Sequence, residues 1–380
     1  MKDLLILYPK IHHTNLIEGQ CECLKEQGMS ADALLIKMEG DKIDFLNFSQ
    51  GKVPLKFLLY TFLFNIINKI KWFNRFGLKN KFIILSFNSI FKGYRIIEFA
   101  GIYNTWLTYF ARRVKDEQKN LVIRLWDHYI RDWQKELFML SDVINVGNDY
   151  MKQDFLSLYP QFSNKIVTVP YGNDQIEILN DLMEGKIKKD ISFLDPNAHG
   201  KIIITVGYSG RAWHQHFYII DAIEKLPDEI KKKIFLLFPM TYSNSGKDYL
   251  GYLRERVMRT GIPFQFLKNH LSIIQNMSMR IISDVVINCQ VDDSLSSSIK
   301  EHLMAGSVLI AGDWLPYKLF RKYGAYLHDT SLGNLSSTLK LVLENLEREK
   351  EKSKENKHIL YTFSSWKYKG EKYKEIYYNL

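Results

Sequence analysis

Two acids, Asp293 and Glu301, stand eight residues apart in the stretch DVVINCQVDDSLSSSIKEHLMAGSVLIAG, residues 284–312. The pattern reads as strand, loop, helix and strand. Asp293 and Ser294 supply an acid and a hydroxyl of the kind that starts a helix, so the helix is expected to begin there. Leu295, Ser296 and Ser297 follow in the loop and first turn. Backbone N–H groups at a helix N-terminus, with hydroxyls beside them, form an anion site. Glu301 then lies about two turns along on a similar face. Gly306 ends the helix, since glycine tolerates the left-handed cap conformation. The same residues also read as an ordinary βαβ unit with a serine-rich cap.

A second group is VGYSGRAWHQH, residues 206–216, directly after the apolar run IIITV. Gly207 and Gly210 permit a tight turn and close approach of backbone to a ligand. Arg211 presents a planar fork suited to a diphosphate. Ser209, His214 and His216 add polar groups. The competing reading is a surface loop with a glycine turn. A third stretch, IVTVPYGND at 166–174, runs a strand into a turn rich in Pro, Gly and Asn. After the strand LVIRL come Trp126, Asp127 and His128, where Asp127 and His128 are candidate catalytic polar groups or, equally, surface or core positions.

Elements must hold these loops in place. The chain has 380 residues, 46% of them hydrophobic and 25% charged. That composition excludes disordered, collagen-like and disulfide-scaffold classes, and the length suggests two domains. Short apolar runs, Leu4–Tyr8, Ala33–Lys37, Phe82–Ser86, Leu121–Leu125, Val143–Val146 and Ile166–Val169, alternate with helix-period segments. After the charged stretch 184–190 the pattern restarts with Ile202–Val206, Ile234–Phe238, Pro263–Leu267, Val285–Asn288 and Val308–Ala311. Continuous apolar strands between helices imply parallel sheets covered on both faces. Ligands in such sheets bind beyond the carboxyl ends of strands, where both polar loops fall. Leu341–Lys357 reads as a charged helix, and the aromatics of 361–380 as a final helix that docks on the body of the protein.

Three cysteines, Cys21, Cys23 and Cys289, are too few for a disulfide framework and fit a reducing compartment. Cys21 and Cys23 lack a second pair to complete a zinc site. The longest apolar stretch, Phe57–Ile67, is well short of the roughly 20 residues a spanning helix needs, and a cytoplasmic location is expected. The net charge is +10. Lysines and aromatics interleave over Lys52–Lys81, which suits an anionic membrane surface at the inner face or a solvated basic helix face. No zinc finger, RNP signature or helix-turn-helix points to nucleic acid.

The acid–x7–acid helix, the HLMAGSVLI turn after it and the GYSGR loop resemble the donor site of GT-B glycosyltransferases, in particular the family 4 group. Strand–Pro–x–Gly–x–Asp at 166–174 resembles the end of that family's N-terminal domain. The likeness touches residues 1–37, 121–175 and 200–380. It implies an α/β fold of two Rossmann-like domains with a cleft between them and a C-terminal helix crossing back to the first. The implied domains are 1–175 for the acceptor, a linker at 176–199, 200–357 for the nucleotide sugar, and a closing helix at 358–380. Asp293 stands where the family has Glu for the donor sugar, Glu301 is similar to the ribose-holding residue, and Arg211 and His214 fall near the family's diphosphate-neutralising Arg and Lys. The first strand–helix loop shows His12 and His13 where the family often has a glycine pair. The implied reaction is sugar transfer from a UDP- or dTDP-sugar to a glycan or lipid-linked glycan in bacterial surface polysaccharide synthesis, with retention and without a metal or other cofactor. GYSG with LFPMTY at 237–242 more weakly resembles the bacterial dTDP-4-acetamido-4,6-dideoxygalactose transferases. A non-catalytic nucleotide-sugar or carbohydrate binder, or a GT-B epimerase or phosphorylase, would share the fold.

Overall fold

The computed structural model describes residues 2–8, 14–39, 42–48, 91–102, 105, 107–126, 130–173, 175–241 and 245–380. The basic-aromatic stretch 52–81, the expected strand 82–86, His12 and His13, Asp127 and His128, and Tyr242 lie outside the described residues. Among the described residues no helix is long and apolar enough to cross a membrane. The chain divides into two compact units, Met1–Asp174 with Ser364–Leu380, and Gln175–Phe363.

The first unit is built on seven strands: β1 (Lys2–Tyr8), β2 (Ala31–Glu39), β3 (Lys42–Phe48), β4 (Tyr94–Ala100), β5 (Asn120–Leu125), β6 (Val143–Val146) and β7 (Ile166–Thr168). Their spatial order is 3-2-1-4-5-6-7. All pairings are parallel except that of β3 with β2. β3 and β4 were not expected from the sequence. β4, YRIIEFA, hides its strand character behind Glu98, which the fold buries completely. Arg124 on the neighbouring β5 pairs with that carboxylate, and both side chains are fully buried. Burial alone would lower the guanidinium's pKa, but the Glu98 charge beside it leaves it raised.

This ion pair is roofed by the end of the chain. The last helix, Trp366–Tyr378, places Tyr373 with its ring 5.0 Å from the Arg124 guanidinium. The Tyr377 hydroxyl donates to Glu98 and accepts from Gln20 Nε2 at 2.7 Å. Two glycines make the fit possible. A Cβ on Gly172 would lie 2.2 Å from the Trp366 ring, and one on Gly370 would lie 2.2 Å from Cys23 Sγ. Gly172 belongs to the Pro–x–Gly–x–Asp turn, so that turn is shaped by the returning segment.

The second unit carries six strands: β8 (Ile202–Val206), β9 (Ile234–Pro239), β10 (Phe264–Leu267), β11 (Val285–Asn288), β12 (Val308–Gly312) and β13 (His328–Thr330). Every neighbour pairs in parallel, in the order 10-9-8-11-12-13. β9, β11 and β12 are buried along their whole length, as strands sandwiched by helices must be. Helices Ile273–Ile282, Ser297–Met304 and Leu335–Glu344 are among those covering the sheet. The stretch 176–199 is not bare chain: Gln175–Met183 is a helix with Ile176, Leu179 and Leu182 buried, and the Asp190 backbone N–H donates to Ser278 Oγ at 3.0 Å, both within this unit. The charged region expected as one helix breaks into Leu335–Glu344, Leu346–Ser353 and Asn356–Ser364.

Candidate functional site

Strand order reverses between β8 and β11 in the second unit. Connections from these two strands leave in opposite directions, which opens a crevice at their carboxyl ends. The loop after β8 is VGYSGRAWHQH and the loop after β11 is CQVDDSLSSS, so the topology sets the two polar segments side by side. Backbone bonds then stitch them together. Gly207 N–H donates to Ile287 O at 2.9 Å, and Val291 N–H donates to Trp213 O at 2.9 Å. Gln215 Nε2 reaches Cys289 O at 2.6 Å.

Gly207 has φ +63, a conformation costly for any residue with a side chain. A Cβ there would also meet His214 Nδ1 at 3.0 Å. Ser209 is buried and its Oγ accepts from Arg211 N–H at 3.3 Å, while Gly210 O accepts from Ser245 N–H at 3.1 Å. The Arg211 side chain is exposed at the surface of the loop. His214 and His216 point inward. Burial, and then the Arg211 charge, pull His214 down to about 4, and burial pulls His216 down to about 3. Both imidazoles are therefore neutral near pH 7. His216 Nδ1 shares a hydrogen bond of 2.8 Å with the Tyr249 hydroxyl. His214 Nδ1 and His216 Nε2 are buried with no partner among the described residues.

Asp293 sits where the loops meet. It is 8% exposed. The Tyr317 hydroxyl donates to its Oδ2, and Asn288 Nδ2 donates to the same oxygen at 3.3 Å. Tyr208 OH reaches Oδ1 at 3.5 Å and exchanges hydrogen bonds with Gln290. Burial lifts the Asp293 carboxyl to about 7, against the pull of bonds from Ser296, Ser294 and Asn288. It is thus poised between acid and carboxylate at neutral pH, able to donate or accept toward a hydroxyl.

The helix starts later than the sequence suggests. It spans Ser297–Met304, and Ser296 is the cap, accepting from Ile299 N–H at 3.4 Å. Ser294 and Leu295 belong to the turn before it. Leu295 has φ +62 and is buried. A left-handed, non-glycine residue stores strain of the kind that clusters at functional loops. The chain reaches helical geometry only after Ser296. Ser297 and Ser298 supply the first helical N–H groups, and Ser298 Oγ is buried without a partner among the described residues.

Glu301 is one helical turn further and buried. Arg280 of helix Ile273–Ile282 donates to it through Nε at 3.2 Å. Arg280 also meets His302 Nε2 at 3.1 Å, and His302 Nδ1 meets Ser307 Oγ at 3.2 Å. Burial pulls the Arg280 guanidinium below its ordinary value even with Glu301 beside it. Sequence reasoning missed Arg280 and also Lys300, whose side chain is only 6% exposed. Burial lowers the Lys300 ammonium to about 8, while Glu301 and then Asp293 act to raise it. A lysine between an isoleucine and a glutamate looks like a solvated helix position; only the tertiary environment reveals it.

No protein-family model matches the sequence, and no curated protein does. Solved structures do. HepE of Anabaena in complex with UDP aligns with a TM-score of 0.69 at 13% identity, over 100% of both chains. A UDP-forming α,α-trehalose-phosphate synthase of Burkholderia xenovorans gives 0.68 at 14%, over 100% of this chain and 99% of that one. A glycosyltransferase of Rickettsia africae gives 0.65 at 14%, over 100% and 98%. The fold is GT-B. Within it, the second unit gathers Gly207, Ser209, Gly210, Arg211, His214, Asp293, Ser294, Leu295, Ser296, Ser297 and Glu301 on two adjoining loops and one helix. His216 lies behind them on the inner side, its ring 5.7 Å from that of His214 and packed against Phe238 and Tyr249.

Proposed function

We propose that the chain is a glycosyltransferase whose second unit binds a nucleotide sugar at the β8–β11 crevice. The observation that carries this reading is the meeting of the Arg211 loop with the Asp293–Glu301 segment at the topological switch point. Similar architecture in HepE complexes with UDP and with UDP-glucose supports a uridine diphosphate sugar as donor; a dTDP-sugar follows only from the weaker sequence resemblance. When the glycosidic bond breaks, negative charge grows on the leaving diphosphate. Arg211 and the N–H groups of Ser297 and Ser298 are placed to stabilise that charge without reorganisation. Asp293, titrating near neutrality, is suited to hold a hydroxyl of the donor sugar. Glu301, fixed by Arg280, is suited to the paired hydroxyls of a ribose. Asp293 in place of the family's Glu is one methylene shorter in its reach to the sugar.

The finer reading follows the family 4 resemblance: retention of configuration, no metal or other cofactor, and a glycan or lipid-linked glycan acceptor in bacterial surface polysaccharide assembly. A thermal-shift panel of UDP-, dTDP-, GDP- and CMP-sugars tests the donor. A UDP- or dTDP-sugar should stabilise the protein, undiminished by EDTA, and the stabilising sugar should turn over with an added acceptor. Binding without turnover of any acceptor would favour a non-catalytic binder on the same fold, and no shift with any nucleotide would refute the proposal.

A further inference from the structure

Lys300 is a buried cation with no hydrogen-bond or ion-pair partner among the described residues. Glu301 already receives Arg280 at 3.2 Å. Asp293 already receives Tyr317, Asn288 and Ser296. Lys300 senses both acids, Glu301 first, yet has no hydrogen bond or ion pair among the described residues. A lysine so deeply buried without such a partner is expensive to the fold.

Its position on the helix says what it faces. Lys300 lies three residues after Ser297, hence on the same face and one turn, about 5 Å, further in. Helical side chains lean toward the N-terminus, which directs a long lysine stem back toward the open N–H groups of Ser297 and Ser298. The anion expected there is the donor's diphosphate. The β8 loop brings Arg211 but no second cation, since buried His214 and His216 are neutral near pH 7. We propose that Lys300 is the second cation of the diphosphate site, contacting the donor's phosphate oxygens from within the helix in place of a basic residue on the β8 loop. This rests on the nucleotide-sugar reading of the crevice given above.

The test is calorimetry of UDP and dTDP, each against its own nucleoside, on the full chain. Wild type should bind one diphosphate far more tightly than its nucleoside. Lys300→Met should lose at least tenfold of that preference while nucleoside binding stays the same. Lys300→Gln, which keeps a polar end without charge, should behave alike and guards against a packing artefact in the first variant. If both variants keep the wild-type preference while Arg211→Ala lowers it, Lys300 is not a phosphate ligand and the donor site stands. If wild type binds neither diphosphate, both the assignment of Lys300 and the nucleotide-sugar reading fall.

Discussion

Replacing Lys300 with methionine should make the second unit more stable. The ammonium's pKa falls from 10.5 to about 8 in the folded chain because burial disfavours the charged form. For a lysine with a depressed folded value, the cost of burial is present in full below the folded pKa. It is relieved as pH rises from about 8 to 10.5, where the native amine sheds its proton before the unfolded one does. At pH 7 that separation corresponds to about 3 kcal/mol at most. Relaxation and water entry reduce it, so a gain of roughly 1–3 kcal/mol is expected for a neutral side chain of similar length. Urea melts of wild type and Lys300→Met at pH 7 and pH 10 provide the measurement, with fluorescence reporting each transition. The variant should lead at pH 7, and the gap should narrow toward pH 10. Equal or lower stability at pH 7, or a gap indifferent to pH, would show that Lys300 has a partner in the folded state and would remove the argument for its ligand role. Gain of stability together with loss of diphosphate binding is the mark of a residue kept for function.

Glu301 carries two burdens that different substitutions separate. Glu301→Ala strands the Arg280 guanidinium and should cost about 3–5 kcal/mol in a urea melt, whereas Glu301→Gln keeps an acceptor for Arg280, should cost much less, and should still lower donor affinity or turnover more than tenfold. A Glu301→Ala variant as stable as wild type would show that the Arg280 pair is not what holds the helix. In the first unit, Gly370→Ala should lower the melting temperature, although alanine favours a helix by about 1 kcal/mol, because its Cβ would lie 2.2 Å from Cys23 Sγ. Adding Cys23→Ala should restore the loss, and a melting temperature raised by Gly370→Ala alone would contradict the close approach.

Much of the architecture is written in the local pattern. IFLLF, VVIN and VLIA announce buried parallel strands because nothing polar interrupts them, and their alternation with helices fixes the sheet class. β4 escapes that logic because Glu98 and Arg95 interrupt YRIIEFA, and the compensation for Glu98 is Arg124 on another strand. β13, HDT, is a short edge with no apolar run to mark it. At the site, the acids, serines and glycines are visible by spacing alone. The helix start is not: four serines, Ser294, Ser296, Ser297 and Ser298, offer caps, and Ser296 is the one used, after a left-handed Leu295 that no propensity foretells. Neutral His214 and buried Lys300 are likewise invisible, since both depend on how deeply the finished fold covers them. Arg280 and Glu301 meet across 21 residues of chain, a pairing that only tertiary structure creates.

The segment Ser364–Leu380 belongs to the same unit as Met1–Asp174, and that arrangement dictates an order of events at the ribosome. The N-terminal unit is translated first but cannot be finished first. Until all of Gln175–Phe363 has been made, the Glu98–Arg124 pair has Tyr171 beside it but lacks Tyr373 and Tyr377, and Cys23 lacks its contact with Gly370. The unit made second can complete its own core while the earlier one waits, open and liable to aggregate. A premature stop codon a few residues short of Trp366–Tyr378 would therefore injure strands made long before it.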